Sequence, residues 1–275
     1  MRRPVTVMAL AAAVLAAAGC RPGSVGQKWP DPNRPLVFSA RASADVGLAR
    51  HLEDSNLQPL SSDWQAVVYR PRALFDLRTR AGLEFSAEAS AFFTDWDQEQ
   101  WEYAGLDVAD NDLRIGGWEF RALAGWGADV ERFGRISLLG GVTGRFTDLD
   151  RKFGDGSTEK LEVDMLLWEV EGRLALPLGP DTLELPPVTF EASTSYGRLF
   201  KPEVDVDGVG TIEGDYGWLF RARAGLDFRF TERTSAYLGG FYEILKIQGG
   251  TKGLYDWADS ESTAAGGEVG LRVRF

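Results

Sequence analysis

From Leu36 onward the chain alternates, with apolar and polar side chains changing places over segments of about twelve to sixteen residues. Period two sustained over that length admits only extended strands with two unlike faces. In the first segment Phe38, Ala40, Ala42, Ala44, Val46 and Leu48 share one face, and Ser39, Arg41, Ser43, Asp45 and Gly47 the other. A second segment from about 72 to 85 sets Ala73, Phe75, Leu77, Ala81, Leu83 and Phe85 against Asp76, Arg78, Arg80, Gly82 and Glu84. Similar patterns follow at roughly 89–95, 113–128, 135–148, 161–176, 187–200, 216–230, 234–247 and 266–275. The expectation is an all-β, antiparallel up-and-down transmembrane barrel of about ten strands, with eight or twelve as alternatives.

Alternation does not say which face is inside, because a soluble lipoprotein barrel around an apolar ligand alternates as well. Strand length separates the two. Soluble strands usually hold five or six residues, whereas a tilted strand crossing a bilayer needs about nine to eleven. Aromatic spacing points the same way. Trp218 and Phe228 lie ten residues apart on one apolar face, which spans about 25 Å along the axis of a barrel with tilted strands. Trp118 with Trp126, and Ile136 with Phe146, repeat the arrangement. No stretch after the first twenty residues is apolar enough for a transmembrane helix. Connections around 51–65, 96–111, 150–159, 201–215 and 249–263 read as long, and those near Ser86, 129–134 and 231–233 as short. The octads Arg78–Phe85 and Arg221–Phe228 echo each other, and both are expected to precede a short turn.

The final segment, Gly267-Glu268-Val269-Gly270-Leu271-Arg272-Val273-Arg274-Phe275, resembles the last strand of the bacterial outer-membrane β-barrel class, in the size range of the small OmpA-like and omptin barrels. The resemblance implies that Val269, Leu271, Val273 and Phe275 face lipid and form the signal read by the barrel-insertion machinery. It also implies the outer membrane of a Gram-negative bacterium as the location, with lipid and lipopolysaccharide as partners.

The N-terminus has the plan of a secretory signal: basic Met1-Arg2-Arg3, an apolar run from Val5 to Ala18, then Ala17-Ala18-Gly19-Cys20. The last four residues resemble a lipobox, with Ala17 where Leu is usual. This reading divides the chain into a signal peptide at 1–19, a flexible Pro- and Gly-rich tether at 20–35 and a barrel domain at 36–275, with Cys20 as the site of lipid attachment. The competing reading is cleavage after Ala16-Ala17-Ala18, which leaves Cys20 a free thiol.

Charge limits the chemistry. A net charge of -11 with 30 Lys+Arg against 41 Asp+Glu leaves no basic footprint for nucleic acid. One cysteine and one histidine leave little for metal or nucleophilic sites, so no cofactor and no enzymatic activity are expected. The polar faces carry both signs in near balance, and a barrel of about ten strands is narrow enough for side chains to fill. Arg78, Arg80, Glu84, Glu119, Arg121, Glu191, Arg221, Arg223, Asp227 and Glu243 are therefore expected to form an interior network that plugs the lumen. The same residues could instead line a small-solute, porin-like channel. Counted over 51–65, 95–112, 148–160, 201–215 and 249–263, the long connections hold 22 acidic residues against 5 Lys/Arg, a field suited to divalent cations bridging lipopolysaccharide or to solvation alone. Glu203-Val204-Asp205-Val206-Asp207-Gly208 resembles the start of an EF-hand loop but lacks the acid at the twelfth place, so a strand extension turning at Asp207-Gly208 is preferred. Asp95 and Asp97 resemble one half of an omptin-type active site, but His51 does not match that family's order. The expected role is structural, adhesive or envelope-maintaining.

Fatty-acid labelling of the wild type against Cys20→Ser tests the anchor. Label is expected in the wild type and absent from the variant, and equal labelling of both removes the lipoprotein assignment.

Overall fold

The computed structural model describes residues 36–275, apart from 56, 131–133, 179–187, 207–208 and 253–254. Cys20, the signal and the tether lie outside the described residues. The strands are β1 (Leu36–Asp54), β2 (Leu60–Thr79), β3 (Leu83–Thr94), β4 (Asp97–Tyr103), β5 (Leu106–Val130), β6 (Gly134–Lys152), β7 (Thr158–Leu178), β8 (Val188–Val206), β9 (Gly210–Glu213), β10 (Tyr216–Arg229), β11 (Thr234–Gln248), β12 (Gly250–Lys252), β13 (Tyr255–Trp257) and β14 (Asp259–Arg274). Every pairing is antiparallel, and β1 closes the sheet by pairing both β2 and β14. β4 carries β3 onward, since both lie between β2 and β5. Short β9 prolongs the ladder on β8, and β12 with β13 forms a hairpin. The architecture is thus a closed barrel of ten long strands. Closure removes the open edge that a free sheet presents.

The apolar face points outward. Leu48 is 71% exposed and Leu138 63%, whereas Asp45 on the opposite parity is 1% exposed. Register aligns this face into a belt free of charge. It runs over Leu36 to Leu48 on β1, Gly116 to Ala128 on β5, Ile136 to Phe146 on β6, Leu166 to Leu178 on β7 and Ala236 to Ile244 on β11. Twelve residue steps on tilted strands rise about 30 Å. The next outward positions toward the long connections carry charge: Arg50, Asp63, Arg114, Asp148, Asp164, Arg198, Lys246 and Glu261. The strands continue beyond that line, and β5 alone adds ten residues past Gly116.

Val269, Leu271 and Phe275 are exposed on the outer face. Val273 shares their parity but is 8% exposed. It lies in register with Ala40, which in turn faces Phe75, beside the stack in which Phe38 meets Phe75 and Phe275 at ring distances of 6.3 and 5.2 Å.

Three expectations need correction. The segment 72–85 is two strands, because the chain reverses at Arg80-Ala81-Gly82. Gly82 has φ +91°, and a side chain there would strike the Trp126 ring. Leu77 pairs Phe85 across the turn on one face, so the parity runs through the reversal unbroken and hides it. The octad Arg78–Phe85 therefore contains its turn, whereas Arg221–Phe228 precedes one, and the two are not equivalent. Finally, 96–111 is largely strand, and the 51–65 connection shrinks to residues 55–59.

Charge on the outer belt has no partner, so Leu138→Arg should lower unfolding stability in lipid vesicles by about 2–4 kcal/mol. Urea titration followed by tryptophan fluorescence measures it, with the exposed loop-end change Asp155→Arg as a near-neutral reference.

Candidate functional site

The lumen is layered, and each layer follows from what the inward parity of the strands carries. In the middle lies an ion-pair network. Glu243 on β11 accepts hydrogen bonds from Arg70 at 2.8 and 3.1 Å, from Arg145 at 2.7 Å and from Arg221 at 3.0 Å. Arg221 also donates to Glu119. Arg121 donates to Glu169 at 2.9 and 2.6 Å and pairs Glu171 at 2.5 Å, while Thr143 adds a 2.6 Å bond to Glu169. These groups are 0–6% exposed. A buried ion is costly unless paired and hydrogen-bonded, which accounts for several partners converging on each carboxylate. Arg70 and Arg145 also lie over the Phe92 ring at 5.8 and 4.5 Å, which joins the network to the apolar residues above it.

Toward the long connections the inward positions turn apolar. Trp64, Ala66, Leu113, Leu149, Val163, Met165, Leu167, Leu199, Val204, Ile212, Leu219, Leu245, Ile247 and Trp257 pack as one buried cluster across the lumen. The Trp64 indole N–H donates to the Leu113 carbonyl at 3.1 Å. Above this cluster, Arg151 donates to Glu99 at 2.6 and 2.8 Å, to Glu53 at 2.9 Å and to Glu159 at 2.9 Å, and lies 5.0 Å from the Trp101 ring. Burial alone would raise the Glu53 carboxyl. Arg151 and the bond from His51 overcome that and hold it near 2. The single histidine, 6% exposed, bonds Ser262 through Nδ1 at 2.7 Å and Glu53 through Nε2 at 3.1 Å.

At the short-turn end the lumen opens into a cavity of about 640 Å³. Arg41, Arg78, Glu84, Glu191, Arg223, Asp227, Arg229, Arg272 and Arg274 are among its lining. Arg272 and Arg274 both donate to Asp227, and Arg272 also donates to Glu191, at 2.7 Å through Nη2. Arg41 stands 4.5 Å from the Tyr237 ring centre. Gly225 and Gly239 make room for that tyrosine, since a side chain on either would strike its ring.

Of the ten residues expected in the interior network, nine line the lumen. Arg80 does not: it sits exposed in the β2–β3 turn, because the reversal falls where continuous alternation suggested strand. Arg78 and Glu84 lie at the rim, where Arg78 pairs Asp129 at 2.5 Å and Glu84 pairs Arg135 at 2.5 Å. Arg223 reaches Glu88 at 3.4 Å and Asp45 at 3.7 Å, not Glu191 or Glu243. Periodicity does not single out four further members: Arg70 and Glu88 fall between the alternating segments, Arg72 at the first residue of one, and Arg151 in the connection 150–159. The apolar cluster was legible as broken alternation, in runs such as Met165-Leu166-Leu167-Trp168 and Ile244-Leu245, where both faces are apolar. In the EF-hand-like segment, Glu203 and Asp205 are exposed on β8 and Val204 is buried in the cluster, while Asp207 and Gly208 lie outside the described residues. Asp95 and Asp97 are exposed at the β3–β4 break.

No protein-family model matches the chain, and no curated protein matches it. Among solved structures it resembles the outer membrane protease OmpT of Escherichia coli at 12% identity and TM-score 0.56, over 92% of this chain and 100% of that one. The translocator domain of the autotransporter NalP from Neisseria meningitidis matches at 12% identity and TM-score 0.45, over 98% of each chain. The transport unit of the autotransporter AIDA-I from Escherichia coli matches at 10% identity and TM-score 0.45, over 97% of each. The first likeness is one of fold: this chain has the ten-stranded architecture of an outer-membrane β-barrel.

The depressed Glu53 gives a pH test. A carboxyl held near 2 against an ordinary 4.5 contributes stability above pH 4.5, and that stability is lost as pH falls toward 2. The contribution is on the order of 3 kcal/mol. Unfolding midpoints measured from pH 6 to 2 should therefore fall less steeply in Glu53→Gln than in the wild type.

Proposed function

We propose that the protein is an integral outer-membrane β-barrel that does not conduct, with a structural, adhesive or envelope-maintaining role and no enzymatic step. The observation that carries this reading is the apolar cluster across the lumen, seated directly on the ion-pair network. An ion crossing there would have to leave the paired charges and shed its water against a layer of buried apolar side chains. The charge-free belt supplies the lipid-facing surface. Its height matches a bilayer core, and outward charge follows it toward the long connections on eight strands. The long-connection end faces outside and the short turns face the periplasm, as in bacterial barrels.

The upper edge of the belt suits lipopolysaccharide as a partner. Outward-facing Arg198 lies in register with Trp168 and Trp218, Tyr196 stacks near Trp218 at 6.3 Å, and Lys246 lies 6.0 Å from the same ring. Aromatic side chains settle at the membrane interface, and cations beside them can meet lipid phosphate. Phe275, exposed on the outer face, remains the residue through which the barrel-insertion machinery would read the last strand.

The competing channel reading gives the opposite result in planar bilayers. Purified protein is expected to show no stable conductance. Reproducible steps whose ion selectivity changes in Arg223→Glu would replace the closed barrel with a charge-lined pore. Compact mobility of unboiled samples in detergent gels, lost on boiling, checks that the protein assayed is the folded barrel.

A further inference from the structure

The mid-lumen network is balanced, but the cavity at the short-turn end is not. Among the described residues its lining holds ten arginines against seven carboxylates. The imbalance concentrates on the wall formed by β1, β14, β11 and β10. There Arg41, Arg229, Arg272 and Arg274 face two carboxylates, Glu191 and Asp227. Arg272 and Arg274 share Asp227, and Arg41 reaches Glu191 only at 3.4 Å. The Nε atoms of Arg41 and Arg272 are buried without an acceptor. The Arg229 side chain has no hydrogen bond or ion pair among the described residues and lines the cavity.

We propose that this vestibule binds a small polyanion bearing phosphate groups. Guanidinium forks match phosphate oxygens in pairs and hold their charge at any working pH. A concave site with one sign of charge in excess and low-dielectric walls focuses its field on an entering anion. The volume of about 640 Å³ falls in the range of small-molecule sites. Phosphate could arrive on a soluble molecule or on a lipid headgroup of the inner leaflet, and the chemistry of recognition is shared. The site does not depend on whether the barrel conducts, because the apolar cluster lies at the opposite end of the lumen.

Isothermal titration of the folded, full-length protein in dodecyl maltoside tests it, using sodium triphosphate in one arm and dihexanoyl phosphatidic acid in the other. Saturable one-to-one binding that weakens with added sodium chloride is expected in at least one arm. Arg229→Glu should weaken it about tenfold or more, without breaking any buried pair. Arg50→Glu, at the other end of the barrel, should leave it unchanged. Arg229→Gln serves if the reversal does not fold, with a drop of about threefold or more. Binding of triphosphate identifies a soluble ligand class, and binding of phosphatidic acid alone identifies a lipid headgroup. Either result, weakened in the Arg229 variants, supports the site. No binding in either arm, or binding that Arg229 variants leave unchanged, overturns it.

Discussion

Closure of the sheet is the constraint on which the rest depends. Once β1 pairs both β2 and β14, no long strand of the belt is left with an open edge. Each strand must then hand alternate residues to two different environments. The outside selects Leu, Val, Ala and aromatics over about 30 Å. The inside accepts charge only as far as charge can be paired.

That second condition explains the layering. A guanidinium deep in the lumen has lost its water, so it must find carboxylates, and Glu243 serves three arginines at once. Removing one member of such a set strands the others, which makes the network cooperative. Above it, where the strands outrun the belt, the lumen closes with Trp64, Leu113, Leu167, Leu219 and their neighbours. A wall that contacts its own apolar fill on the inside and lipid or solvent on the outside abandons strict alternation. Below it the cavity meets solvent, so the side chain of Arg229, without an ion-pair partner among the described residues, can stay hydrated.

Likeness to OmpT is one of fold. A barrel supplies rigid strand ends on which many chemistries can be mounted, and function belongs to the side chains placed there. Here those positions carry Arg151 clamped by Glu53, Glu99 and Glu159, with His51 bonded to Ser262 and Glu53. These contacts tie β1, β4, β6, β7 and β14 together at the loop end.

Period two, strand length and aromatic spacing were enough by themselves to reach a ten-stranded barrel with its apolar face outward, because those signals are local and repeat on every strand. Most of the charge network's members were legible for the same reason, since inward parity names them. Their partners were not. Arg223 pairs toward Glu88 and Asp45, and Arg70 reaches Glu243 from 173 residues away, because partner choice depends on how far each strand is staggered around the barrel. The turn at Gly82 escaped because antiparallel register preserves parity through a reversal, and Arg80 was misplaced with it. The depth at which paired charge gives way to apolar packing, and the surplus of arginine left at the other end, were decided only in three dimensions, where ten strands bring their inward residues to a common level.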